Sequence, residues 1–273
     1  MKIALIACSD GLKDSEKQRE KCNQLIMFLK KCNLEVVEAD TIFREDGHIY
    51  SGKPEERAKW LNKFFSDKTI KYIFDVSGGD SGNEILEYID YNIAAESKAV
   101  YCGYSDLSTV INAIYTKAGK SSYYYNIWNI VSEKDGEKQQ KWFKEIFIDG
   151  QCNRENLIVE FGNLMEGEVL GGNLRCFSKV IGSEYMPDFQ GKNILIEAWS
   201  GDEARFRTYL YQMKHAGIFK KVRGVILGTF TELEKEKSSS YIYEMAKEIT
   251  EVKNIVKLSN LGHNSDSYTI KIG

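Results

Sequence analysis

The chain has no apolar run approaching the roughly 18 residues of a membrane span, and Met1-Lys-Ile-Ala-Leu-Ile-Ala-Cys8 is too short an apolar start for a signal peptide. Both absences point to a cytoplasmic protein. Neither sign of charge is in excess: 37 Lys and Arg against 40 Asp and Glu leave a net charge of -3, so no overall field favours nucleic acid or an anionic membrane as partner. The six cysteines, at 8, 22, 32, 102, 152 and 176, form no CxxC pair. That spacing argues against a disulfide framework or a zinc site and for free thiols in a reducing compartment. P-loop, HExxH and strand-linked GxGxxG motifs are all missing, so nothing supports phosphate-driven, zinc or dinucleotide chemistry, and neither cofactor nor metal is expected. Histidine is scarce, with His48, His215 and His263 the three present, and proline scarcer, with Pro54 and Pro187. A histidine-dependent enzyme would therefore have few candidates for its base.

What is present is an ordinary globular composition, 42% apolar and 28% charged over 273 residues, enough for one large domain or two modest ones. The first half alternates short apolar runs with helix-like segments, which argues for a parallel sheet with helices on its faces. Lys2–Cys8, Leu34–Ala39 and Lys71–Val76 read as strands. Leu25, Ile26, Phe28, Leu29 and Cys32 mark one helix face, and Pro54 suits the first turn of a helix over Glu55–Phe65. Ile85, Leu86, Ile89 and Ile93 mark another helix. Ser132 to Gln151 is strongly polar at its start and reads as an exposed crossing between domains. In the second half Val169–Phe177 reads as strand, turn and return, and Lys192–Ala198, Arg223–Gly228 and Asn254–Leu258 as strands. Ser200-Gly-Asp-Glu203 has capping-box spacing for a helix to about His215, and Tyr241–Glu251 is helical. The expected fold class is α/β: an N-terminal parallel-sheet domain (1–131), a linker (132–151) and a C-terminal mixed α/β domain (152–273).

Lys98-Ala-Val-Tyr-Cys-Gly-Tyr-Ser-Asp-Leu-Ser-Thr-Val-Ile-Asn-Ala-Ile-Tyr115 is the stretch around which the first half is organised. A strand-length apolar run meets Gly103, and after a polar step Leu107, Val110, Ile111, Ile114 and Tyr115 recur with helical spacing. Ser105 sits in the corner, beside backbone N–H groups that a first helical turn leaves unpaired. This suits a nucleophile elbow; it equally suits an N-cap serine with Asp106 as a first-turn acid. Ser77-Gly-Gly-Asp-Ser-Gly-Asn83 follows a strand, and Gly78-Gly79 could form half of an oxyanion hole or an ordinary tight turn. Tyr123-Tyr-Tyr125 and Trp128 could be core, interface or substrate platform. Cys102, inside an apolar strand, reads as a packing residue rather than a thiol nucleophile. His48 reads as a loop residue and His215 as a helix-end residue meeting the C-terminal dipole.

Ser105, Glu197 and His263 each follow an apolar run, which tends to place functional side chains at the rim of a sheet. A serine hydroxyl needs an imidazole to take its proton and a carboxylate to hold that imidazole's tautomer, and this set contains one of each. Spacing alone does not bring them together.

At these residues the chain resembles the LD-carboxypeptidases of the peptidase S66 family, which includes the muropeptide LD-carboxypeptidases and the microcin C immunity proteins. The resemblance rests on SGGDSGN (77–83), GYSDLSTVINAIY (103–115), GGNL (171–174), NILIE (193–197), GVILGTF (224–230) and LGH (261–263), in the family's order and over nearly the whole chain. It implies Ser105 as nucleophile, His263 as general base and acid, and Glu197 as the group orienting His263. It also implies an oxyanion hole and substrate-binding wall from Gly78, Gly79, Asp80 and the N–H of Asp106, in a cleft between the two domains. The implied activity is hydrolysis of an amide bond near a C-terminus, with no cofactor. The implied substrates are cytoplasmic muropeptides, as in peptidoglycan recycling, or a peptidyl or aminoacyl nucleotide antibiotic of microcin C type, as in antibiotic resistance. A homodimer is the family expectation. A non-catalytic muropeptide-binding protein is the alternative of another class.

The chain departs from the family pattern around the substrate-binding wall that the resemblance implies rather than at the triad. Ala198 stands where many members have aspartate, Asp80-Ser-Gly-Asn83 replaces a Gly-Tyr step, and Tyr124-Tyr-Asn126 replaces a His-Gly-Pro. A proline-rich approach to His263 is absent. These positions bear on which substrate is held.

Overall fold

The computed structural model describes residues 1–44 and 47–273. Two parallel sheets account for most strands, as continuous apolar runs separated by helices require. The first half contributes β1 (Lys2–Ile6), β2 (Leu12–Lys13), β3 (Glu35–Glu38), β4 (Phe43–Arg44), β5 (Ile70–Asp75), β6 (Val100–Gly103) and β7 (Ser122–Tyr124). The second half contributes β8 (Val159–Gly162), β9 (Val169–Asn173), β10 (Asn193–Ala198), β11 (Gly224–Phe230), β12 (Ile255–Leu258) and β13 (Ile270–Ile272). The six-stranded sheet runs β13-β7-β6-β5-β1-β3, the five-stranded sheet β8-β12-β11-β10-β9, and β2 pairs with β4 alone. Within the large sheets, among the described residues, only β13 on β7 and β8 on β12 are antiparallel. The fold class is the expected mixed α/β.

Helices α1 (Glu16–Lys31), α2 (Pro54–Ser66), α3 (Tyr91–Glu96) and α4 (Ser108–Ala118) belong to the first half. Pro54 stands at the start of α2, where its missing N–H costs no hydrogen bond. The single helix expected through Ile85 and Ile93 is two pieces, a 3₁₀ turn over Gly82–Tyr88 and then α3. Asp90 makes the break, its carboxylate accepting the N–H groups of Asn92 and Ile93 and so capping a new start.

The exposed crossing expected over 132–151 is corrected over its second part. Helix α5 (Gly136–Phe143) runs into a π-helical turn, Lys144–Ile148, and Phe143, Ile146 and Phe147 are buried. Phe147 packs on Phe74 of β5 and on Tyr125, with ring centroids 5.0 and 4.8 Å apart. The polar start of the segment masks a helix with one apolar face.

In the second half α6 (Leu174–Ser178), α7 (Glu203–His215), α8 (Ile218–Lys221) and α9 (Ser239–Thr250) flank the sheet. The return strand expected after Gly171-Gly172 is α6, because Asn173 Oδ1 accepts the Cys176 N–H and starts a helix. The cap of α7 is Asp202, which accepts the Arg205 N–H, rather than Ser200. Among the described residues no helix is long and apolar enough to cross a membrane.

The two halves meet where α4 lies along β9, the open edge of the second sheet. Asn112 on α4 does there what a further strand would do: its Nδ2 donates to the Gly171 carbonyl and its Oδ1 accepts the Gly171 N–H, both at 2.9 Å. The glycines are required for this approach. Gly172 has φ +140°, and a Cβ there would stand 2.4 Å from Ser108 Oγ.

Phe147→Ala is expected to lower unfolding free energy by about 3–5 kcal/mol in urea titration, as for a buried aromatic. Lys141→Ala on the outer face should change it by less than about 0.5 kcal/mol. Equal, small effects would mean that the segment is solvated after all.

Candidate active site

Ser105 follows β6 in a tight 3₁₀ turn, Ser105–Leu107, that leads into α4. Its φ is +55°, a conformation that a non-glycine residue rarely adopts. The strain is localised where the chain must reverse from strand to helix within a residue or two. The serine does not cap the helix; its Oγ lies 2.9 Å from His263 Nε2. His263 Nδ1 is 2.6 Å from Glu197 Oε2. Residues 158 and 66 positions apart in sequence thus form one relay from hydroxyl to imidazole to carboxylate. It is complete for the imidazole tautomer with its proton on Nδ1, which leaves Nε2 free to accept from the serine.

Glu197, at the end of β10, is fully buried rather than at an open rim. Its second oxygen, Oε1, accepts from Tyr124 O–H at 2.7 Å and from Asn173 Nδ2 at 2.9 Å. Three donors therefore surround the carboxylate, as a buried charge requires. The Tyr124 oxygen also accepts the Ser105 N–H at 3.0 Å. One phenol consequently ties the strained elbow to the buried glutamate. Burial and the adjacent Glu197 charge push the Tyr124 hydroxyl well above the usual tyrosine range, so it keeps the proton it donates. The ring of His263 rests between Tyr104 and Trp199, with centroids 5.2 and 5.8 Å away.

Gly78, Gly79, Asp80, Ser105 and His263 line one open cleft of about 350 Å³. The turn that carries the two glycines is held from below. Asp10 Oδ1 accepts the N–H groups of Asp80 and Ser81, each at 3.1 Å. Gly79 has φ +132°, and a Cβ would stand 2.1 Å from the Asp10 carboxyl, so no other residue fits without displacing that anchor. The carboxylates of Asp80 and Asp106 are each held by other groups. Asp80 pairs with Arg175 on α6. Asp106 is buried beneath the elbow, accepting from Ser9 Oγ, the Gly82 N–H and Lys179 Nζ at 2.6, 2.7 and 2.6 Å.

Of the remaining candidates, Cys102 is buried and burial pushes its thiol well up, consistent with packing. His48 lies outside helices and strands, and His215 ends α7; residues 45 and 46, beside His48, lie outside the described residues. The aromatic stretch divides. Tyr125 packs in the core against Phe74 and Phe147, Tyr124 enters the site, and Trp128 donates its indole N–H to the Val76 carbonyl beside an open groove. Sequence reasoning missed Tyr124, Asn173, Arg175 and Asp10. The one available signal was alternation along a strand, which turns Tyr124 away from the face of its two neighbours.

Comparison with known proteins agrees with this architecture. Residues 3–125 match the LD-carboxypeptidase N-terminal domain and residues 166–273 the LD-carboxypeptidase C-terminal domain. The microcin C7 self-immunity protein MccF of Escherichia coli is 25% identical over 283 residues, covering 91% of this chain and 82% of that protein. Among solved structures, MccF in complex with aspartyl sulfamoyl adenosine superposes with a TM-score of 0.84 at 21% identity, covering 100% of this chain and 91% of the other. A muramoyltetrapeptide carboxypeptidase from Oxalobacter formigenes gives a TM-score of 0.82 at 20% identity, covering 100% and 93%. With both halves matched in order along one chain, this protein belongs to the LD-carboxypeptidase family, peptidase S66, and is a serine peptidase.

Proposed function

We propose that the protein hydrolyses an amide bond near a peptide C-terminus through an acyl-enzyme on Ser105. The observation that carries this reading is the unbroken relay Ser105 Oγ, His263 Nε2, His263 Nδ1, Glu197 Oε2, with contacts of 2.9 and 2.6 Å. His263 takes the Ser105 proton as Oγ bonds to the carbonyl carbon. The oxyanion is held by backbone N–H groups of the Gly79 turn and of Asp106. His263 then gives its proton to the departing amine as the C–N bond breaks. A water, deprotonated by the same imidazole, attacks the acyl-enzyme and releases the acid and the free serine. Glu197 holds the imidazole in its tautomer and stabilises the imidazolium.

The substrate favoured is the L,D bond of a cytoplasmic muropeptide, releasing a terminal D-amino acid. A second reading, hydrolysis of a peptidyl or aminoacyl nucleotide, is supported by Trp199. This indole is half exposed on the cleft wall, and the adjoining groove of about 840 Å³ adds Trp128 and Lys17, Lys21 and Lys134 beside Glu20 and Glu133, an aromatic surface with a small excess of positive charge that suits a nucleotide. Incubation with a muropeptide tetrapeptide and with an aminoacyl sulfamoyl nucleoside, with products identified by mass, separates the two. The division into a serine-bearing half and a half bearing Glu197 and His263 is part of the same proposal, as is a homodimer.

Ser105→Ala should fold normally and lose on the order of 10⁴–10⁶ in kcat; near-normal turnover would sink the mechanism. Glu197→Gln should lose about 10⁴ or less, since it spoils the tautomer without removing the nucleophile. Covalent labelling of Ser105 by a serine-directed phosphonate tests reactivity without a substrate, and folded protein that resists labelling would favour a binding protein instead. Tyr124→Phe unpairs the Ser105 N–H and removes a donor from Glu197, so kcat should fall about 5- to 30-fold with KM little changed. An unchanged kcat would mean that the phenol merely fills space.

A further inference from the structure

The cleft holds a charged pair that the proton relay does not use. Arg175, on α6, lines the same cleft as Ser105 and is the one permanent cation among the described residues that do so. Its Nη1 pairs with Asp80 Oδ1 and its Nη2 donates to the Gly79 carbonyl at 3.2 Å. A carboxypeptidase must distinguish a terminal bond from an internal one, and the difference is a carboxylate a few bonds beyond the scissile nitrogen. A cation facing the same cleft as the nucleophile is the group that can read it.

Asp80 occupies that cation in a way that allows exchange. Its backbone is held independently of its side chain, the N–H by Asp10 Oδ1 at 3.1 Å and the carbonyl by Lys179 Nζ at 2.7 Å. The carboxylate can therefore leave the guanidinium without moving the glycine turn. It is 65% exposed, and a solvated ion pair of this kind holds weakly. Lys179 Nζ, 3.4 Å from the same Oδ1 and anchored to the buried Asp106, remains to receive it.

Resting on the carboxypeptidase reading above, we propose that Arg175 is the subsite for the free C-terminal carboxylate of the residue that leaves, and that Asp80 is its resident occupant, displaced by substrate. A peptide with an amidated or extended C-terminus brings no charge to replace Asp80. The same pair thus favours the terminal bond and disfavours others, since specificity is a difference of affinities.

The test uses a muropeptide tetrapeptide ending in D-alanine, as free acid and as C-terminal amide. Arg175→Gln should raise KM for the acid by about tenfold or more and collapse the acid-to-amide ratio of kcat/KM by a similar factor. Arg175→Lys, which keeps the charge without the fork, should recover part of that preference and serves if the glutamine variant does not fold. Asp80→Asn should lower KM for the acid about threefold or more, because the competitor loses its charge. Calorimetric titration of both peptides into Ser105→Ala reads the subsite without turnover, and the acid should bind at least about tenfold more tightly. Equal binding of acid and amide, or a ratio that folded Arg175→Gln leaves within about twofold, would overturn the subsite while the hydrolase stands. Preferential binding of the acid by a wild-type protein that cleaves neither peptide would support the subsite and overturn the carboxypeptidase reading.

Discussion

The cleft depends on how one buried carboxylate is satisfied. Glu197 has no exposure, and an ion taken out of water costs several kcal/mol unless hydrogen bonds replace its hydration. Its three partners come from three places: Tyr124 from the first sheet, Asn173 from the neighbouring strand of the second, and His263 from the loop after β12. The charge is stabilised only when both sheets are docked in the observed register. Packing between the halves and alignment of the relay are therefore one requirement. Asn112 and the Gly171-Gly172 step answer it from the backbone side, since they allow α4 to lie against β9 and bring the Ser105 elbow to the glutamate.

Much of the fold was legible because parallel strands covered on both faces are uninterrupted apolar runs, as in Ile3 to Ile6 and Ile194 to Ile196. What escaped were the elements without that signature. The edge strands β8 and β13 and the strand β7 beside β13 are short, and Val159 and Glu160 of β8 are exposed. The helix expected through Ile85 and Ile93 failed because apolar spacing says nothing of a capping aspartate midway. Residues 132–151 misled because Glu and Lys on one face outnumber the phenylalanines and tryptophan on the other.

The site was legible at the ends of strands, where Ser105, Glu197 and His263 each follow an apolar run, and the family resemblance selected them from other strand-end polar residues. The groups that hold those three were not legible. Tyr124 sat in a row of three tyrosines where alternation along a strand sets it apart from its neighbours but does not say which face turns inward, and Asn173 looked like part of a turn. Asp10 and Arg175 act through residues 70 and 95 or more positions away. Such pairings are properties of the docked sheets, and no local pattern encodes them.

Strand β13 gives this arrangement an order in time. Tyr124 stands on a strand of three residues that lies between β6 and β13, and the Thr269 hydroxyl that binds its carbonyl lies 145 positions further along. During synthesis the first sheet therefore waits with β7 open on one side, and a short open edge is held weakly. The glutamate that accepts the Tyr124 hydrogen bond follows after 73 residues and the imidazole that meets Ser105 after 158. Under the proposed mechanism, a ribosome-bound chain carries the elbow long before it carries a base. On that reading the serine is inert while the chain is nascent, and its reactivity arrives together with the strand that closes the sheet.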